Sequence, residues 1–172
     1  MKVGPHNKMS LEEIILSKQK EQQEHKVHFW GYSGVFCTPK KTQEFCKWAK
    51  ETYQEEPTLI LLETKSSYES NIGFIKKYST DNINFQNFSK PVQLQGAQYS
   101  FVAKNMKKTT IKLSDYTVVS GKNNGQPLDK HLRFRINKSF AQLNQKFHTD
   151  SPQISVYSAT LVPPYAIWLK EE

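Results

Sequence analysis

Residues 26–41 read KVHFWGYSGVFCTPKK, and the GYSG at 31–34 leads to two different proteins. A serine-hydrolase elbow needs Gly-x-Ser-x-Gly on a tight strand-to-helix turn, because only small residues can flank the exposed nucleophile. Here Val35 stands where the last glycine belongs, and VFC continues an extended pattern beyond Ser33. The elbow reading therefore fails. The stretch from Val27 to Cys37 reads instead as a strand, rich in aromatic and β-branched residues. Alternation places His28, Trp30 and Tyr32 on one face and Val27, Phe29 and Val35 on the other. The second set is expected to anchor the strand in the core. The first set is then expected to line a cleft, with Gly31 and Gly34 allowing close approach to the backbone. Flat rings with polar edges suit stacking against a base. The competing reading is that these aromatics are core as well.

Upstream, Ser10-Leu-Glu-Glu13 fits a capping box and starts an amphipathic helix through Leu11, Ile14 and Ile15. It fades into KQKEQQEHK, read as a solvated polar tail. Residues 1–26 are thus taken as an N-terminal helix and extension, and residues 27–172 as a single α+β domain. Downstream, Thr38-Pro39 marks the N-cap and first residue of a second helix, with Phe45, Trp48, Ala49, Thr52 and Tyr53 as its core stripe. TLILLET at 58–64 is apolar on both parities and reads as a strand covered on both faces.

From residue 70 the pattern is β-rich. GFIKKY and INFQNF flank Ser79-Thr80-Asp81-Asn82 as a hairpin. VQLQGAQYSFVAK at 92–104 changes its alternation at Gly96, which a bulge or corner within one strand explains. TIKLSDYTVVS is a further strand, and GKNNGQP a loop. A third helix is expected from Asp129 to Phe147, burying Leu132, Ile136, Phe140, Leu143 and Phe147. QISVYSATL and YAIWL read as two final strands separated by Pro163-Pro164. The sum is an α+β domain, with a mostly antiparallel mixed sheet of about seven strands and three helices.

Charge is unevenly placed. The chain carries +8 overall, yet residues 1–69 hold ten Lys and ten Glu, while residues 70–170 hold fourteen Lys or Arg against four Asp. A basic back half points to an anionic partner. On the expected third helix, His131, Arg135 and Lys138 share an arc with Lys146, and no acid follows Asp129 there. Arg forks onto phosphate and Lys adds a point charge.

Other chemistries find little support. The five histidines include no HxxxH, and neither Cys37 nor Cys46 has a zinc-spaced partner, so no metal or cofactor is expected. SGKNNGQP lacks the Walker spacing, and there is no Glu between Glu69 and Glu171. Two cysteines without a CxxC suit a reducing compartment, and MKVGPHNKMS carries no apolar leader; a cytoplasmic protein with no membrane partner is expected. The leading function is a binder of a phosphate-bearing ligand, nucleic acid or free nucleotide, through His28, Trp30, Tyr32, His131, Arg135 and Lys138. An enzyme acting on such a ligand, or a protein-binding module, are the alternatives.

Overall fold

The computed structural model describes residues 1–65, 73–94, 96–133, 136–144 and 151–171. The fold is a single α+β domain; among the described residues it is built on a seven-stranded mixed sheet, with a two-stranded sheet beside it and three helices. In chain order the elements are β1 (Lys2–Val3), α1 (Leu11–His25), β2 (His28–Tyr32), α2 (Pro39–Tyr53), β3 (Thr58–Glu63), β4 (Phe74–Ser79), β5 (Gln86–Gln93) and β6 (Tyr99–Ile111). They are followed by β7 (Tyr116–Val118), α3 (Leu128–His131), β8 (Ala141–Leu143) and β9 (Ile154–Lys170).

β9 is the spine of the sheet. One of its edges pairs with β6 from Ile154 to Trp168; the other pairs with β3 near its start and with β4 at its end. β2 extends the sheet on the far side of β6, β5 on the far side of β4, and β1 pairs parallel with β3. The final two strands expected around Pro163-Pro164 are therefore one. The prolines sit in a bulge, where Val162, Pro163, Pro164 and Tyr165 of β9 face only Val102 of β6, and their shared peptide is cis. A bulge leaves residues without a ladder partner, so a strand passes through prolines there without losing a hydrogen bond it would otherwise make.

Three other expectations change. β5 and β6 are separate strands that do not pair with each other, so Gly96 (φ +46°) is a corner between strands. TIKLSDYTVVS divides into the end of β6, a 3-10 turn at Leu113–Asp115 and β7. The long third helix shrinks to Leu128–His131; among the described residues beyond it Ala141–Leu143 is a strand, and Lys146 and Phe147, also expected on the helix, lie outside the described residues. The backbone after His131 is claimed by neighbours: Asn137 O accepts from Lys2 N at 2.7 Å, and Ala141–Leu143 pairs with β7. Leu132, Ile136 and Phe140 are spaced by four, an even number, which serves one face of a strand as well as one face of a helix.

α1 begins at a side-chain cap, and α2 begins with Pro39 in its first turn. Ser10 Oγ accepts from Glu13 N, and Ser10 N donates to Glu13 Oε2 at 2.7 Å, closing the capping box of α1. Its polar second half, expected to be solvated throughout, is docked through Lys18, Glu21 and Gln22 while Gln19, Lys20, Gln23 and Glu24 stay exposed. The buried stripe of α2 is Pro39, Thr42, Cys46 and Ala49, small side chains that bring the helix close to β9. Trp48 and Tyr53 are exposed on its flank.

Both faces of the sheet are covered. Leu11, Ile15, Trp30, Tyr32, Cys46, Leu61, Phe101 and Leu161 form the core under α1 and α2, and Phe29, Ile75, Val92, Leu94, Val102 and Ile167 form the core opposite. A third cluster joins Leu62, Val118, Leu128, Leu132 and Val156 around the small sheet.

A Cβ on Gly31 would stand 2.8 Å from the Cβ of Ala97, and both atoms are fixed to backbone. Gly31→Ala is expected to lower stability by about 1–3 kcal/mol through overpacking. Urea titration checks this: a midpoint unchanged from the parent would show that β2 and the corner at Ala97 can move apart freely.

Candidate functional site

The GYSG segment is a bracing point. Ser33 Oγ donates to Gly96 O and accepts from Gln98 N, each at 3.1 Å, and so ties the end of β2 to the corner before β6. β2 stops at Tyr32, and Val35 (74 % exposed) and Phe36 project outward, so Val35 is no core anchor.

The face carrying His28, Trp30 and Tyr32 is covered by α1, because this strand has apolar partners on both sides. His28 is 0 % exposed and Trp30 is 4 % exposed. The expectation of an open cleft there is corrected: no ring face is free for a base. Trp30 Nε1 donates to His28 Nδ1 at 2.9 Å, which assigns the imidazole proton to Nε2. Nε2 is buried with no partner among the described residues. Beside this pair lies Lys18, buried, bridged to Glu21 at 3.0 Å and 5.8 Å from the Trp30 ring centroid. Glu21 also accepts from Phe29 N, capping the outer edge of β2. Burial, aided by the Lys18 charge, pulls the His28 pKa down to about 4.

Tyr32 stands at the other end of the strand. Its ring stacks on Phe101 at 4.2 Å, and its hydroxyl donates to Cys37 O at 2.6 Å. Burial raises its pKa. Lys138 meets it: Nζ lies 5.4 Å from the Tyr32 centroid and donates to Ser33 O (2.9 Å) and Asn137 Oδ1 (3.2 Å). Lys138 is 7 % exposed, burial lowers its pKa, and among the described residues no carboxylate stands within salt-bridge distance of it.

The six expected site residues thus fall into separate places. His28 pairs with Trp30, Tyr32 with Lys138, and His131 engages Asn123 at 3.1 Å. Arg135 lies outside the described residues. The arc expected to hold His131, Arg135 and Lys138 needs a helix that ends at His131, so His131 and Lys138 do not share a helix face.

A cavity of about 530 Å³ opens between α2, β3 and the extended segment at 138–143. Its walls are mainly apolar, with Phe45, Trp48, Leu59, Phe101, Phe140 and Leu161 among them. Phe45 stacks on Phe140 at 4.5 Å, joining α2 to the extended segment. Lys138 is the one basic side chain among the described lining residues, and Glu55, exposed, the one acidic side chain. Cys37 and Cys46 also line it, and burial pushes their thiols up to about 11 and about 12, so both stay protonated at neutral pH. Of the expected core stripe of α2, Ala49 is buried and Phe45 is half-buried against the core, whereas Trp48, Thr52 and Tyr53 are exposed. The available signal was that small residues, Thr42, Cys46 and Ala49, form a neighbouring stripe on α2 that fills the core instead.

No family model, curated protein or solved structure matches this chain. Among the described residues no helix is long and apolar enough to cross a membrane, and no three His, Cys, Asp or Glu side chains gather as a metal site.

Two outcomes follow from the buried pair. Trp30→Ala is expected to cost about 3–5 kcal/mol in a denaturant melt, the scale of a buried large aromatic. Because the folded His28 pKa lies below its usual 6.5, the unfolded chain takes up a proton that the folded chain refuses. The His28 contribution is complete above pH 6.5 and is lost as pH falls from there toward about 4. Melting temperature should fall across that window, and more gently in His28→Gln; identical slopes would mean His28 titrates normally.

Proposed function

We propose that the protein binds a small amphipathic ligand, its apolar body filling the cavity beside α2 and its anionic group meeting Lys138. The observation that carries this reading is the lysine itself. A buried ammonium without a counter-charge is costly, and among the described residues Lys138 is held by two neutral acceptors, Ser33 O and Asn137 Oδ1. An anion arriving from solution would offset the burial that lowers its pKa. The volume of about 530 Å³ falls within the usual range for small-molecule sites, roughly 300–1,000 Å³.

This keeps the anionic partner expected from the basic back half and moves its place. Stacking on Trp30 is not part of the proposal, because that ring is covered. The excess lysines of β6, Lys104, Lys107 and Lys108, are exposed. They favour approach of an anion through the general positive field of the protein.

Titration with anilinonaphthalene sulfonate, an aromatic anion, tests the proposal. Saturable binding of one equivalent with enhanced fluorescence is expected. Ala49→Phe, which places a ring into the cavity from the buried stripe of α2, should weaken that binding at least about tenfold while the protein still melts cooperatively. Undiminished binding by the filled variant, or none by the parent, would remove the cavity as the site.

A further inference from the structure

We infer that the ligand is a short peptide with a free C-terminal carboxylate, held as an added strand on the open edge of β3. This rests on the cavity reading above and adds the chemical class of its ligand.

Hydrogen-bond parity along β3 shows where that edge is open. Leu161 N donates to Pro57 O, and Leu59 and Leu61 stand opposite Ala159 and Tyr157. The odd-numbered residues therefore turn their main-chain groups to β9 and the even-numbered ones turn theirs away. On the outward side Met1 N donates to Ile60 O at 2.7 Å and Leu62 N donates to Met1 O at 2.8 Å, and β1 pairs at Leu62 and Glu63. Among the described residues no hydrogen bond engages Ile60 N or Thr58 O. Both residues line the cavity, with Leu59 between them. An unmet amide beside apolar walls is costly, and an added extended chain is the partner that a free strand edge takes.

Spacing and charge set the direction. In a parallel pair one residue donates to a carbonyl and accepts from the amide two positions further on, and Thr58 O with Ile60 N is such a set. An antiparallel residue opposite Ile60 would find its oxygen taken by Met1. The peptide thus runs as β1 does, with its C-terminus toward Met1. Met1 N also lines the cavity, keeps an N–H beyond its bond to Ile60 O and interacts with Lys138. Burial lowers its pKa to about 5, so at neutral pH it is an uncharged donor and Lys138 supplies the charge. A carboxylate at that end gains both, whereas the ammonium of a reversed peptide would meet a like charge. These donors serve a phosphate as well as a carboxylate. What selects a peptide is Thr58 O beside Ile60 N, which together need an N–H and an acceptor on one extended residue.

Displacement of bound anilinonaphthalene sulfonate by N-acetyl-leucyl-valyl-leucine, with amide hydrogen exchange at Ile60, tests this. The peptide should displace the probe and slow exchange at Ile60 at least about tenfold. N-methylation of its last amide, the one that meets Thr58 O, should weaken displacement at least about fivefold. N-methylation of the preceding amide, which a strand turns away from β3, should cost less than about threefold. Amidation of the C-terminus should cost at least about tenfold. Equal losses from the two methylated peptides, an unslowed Ile60 amide, or an amidated peptide that binds as well as the acid would overturn strand addition. So would displacement by decanoate and by none of the peptides, which leaves the cavity as the site. Failure of decanoate and of every peptide to displace the probe would overturn both readings.

Discussion

The ladder between β6 and β9 holds the rest of the molecule in place. β9 runs for 17 residues, and two successive strands, β3 and β4, take its other edge. Long antiparallel pairing of this kind fixes register strongly when both faces are buried, since a shift of one residue would exchange the two cores. Two bulges interrupt the ladder, and each is held by its surroundings. Opposite Val102 the extra residues belong to β9, and Tyr165, the last residue of that bulge, has a positive φ and anchors its hydroxyl on Glu56. Near Asn105 the irregularity lies in β6, and the free amide of Asn105 is taken by Gln22 of α1. The N-terminal helix is thereby tied to the central ladder by a polar contact as well as by Leu11 and Ile15.

Covering both faces of β2 leaves polar groups to satisfy inside. His28 and Trp30 satisfy one donor and one acceptor between them, and Lys18 with Glu21 brings a charge pair to the same place. Such networks are effective when complete and costly where one member is unmatched. Among the described residues the unmatched member is His28 Nε2, and burial together with the Lys18 charge keeps the imidazole neutral.

The cavity has a similar origin in packing. The stripe of Thr42, Cys46 and Ala49 lets α2 approach the sheet closely, while the larger Phe45 and Trp48 face the extended segment at 138–143. That segment reaches α2 through Phe140 on Phe45 and Gln142 on the Tyr53 hydroxyl, at 3.2 Å. A helix approaching closely on one stripe and bridged on its flank encloses space between the two contacts. Lys138 lines the space from the segment before β8, whose main chain is held by β1 at Asn137 O and by β7 from Ala141.

The sequence by itself determined the class of the fold, the caps of α1 and α2, the hairpin of β4 and β5, the double-sided burial of β3 and the failure of the serine elbow. These depend on residues near one another in the chain: Ser10 with Glu13, Thr38 with Pro39, the unbroken apolar run LILL, the missing glycine at Val35. Tertiary structure decided the rest. Leu132, Ile136 and Phe140 permit a helix or a strand, and only the partners Lys2 and β7 make the segment extended. His28, Trp30 and Tyr32 alternate correctly, yet whether their face is open depends on where α1 lies, which no local pattern records. Lys138 reads as a surface cation in the chain. It becomes the buried charge of a cavity because a strand, a helix and the end of β2 converge on it from positions about a hundred residues apart.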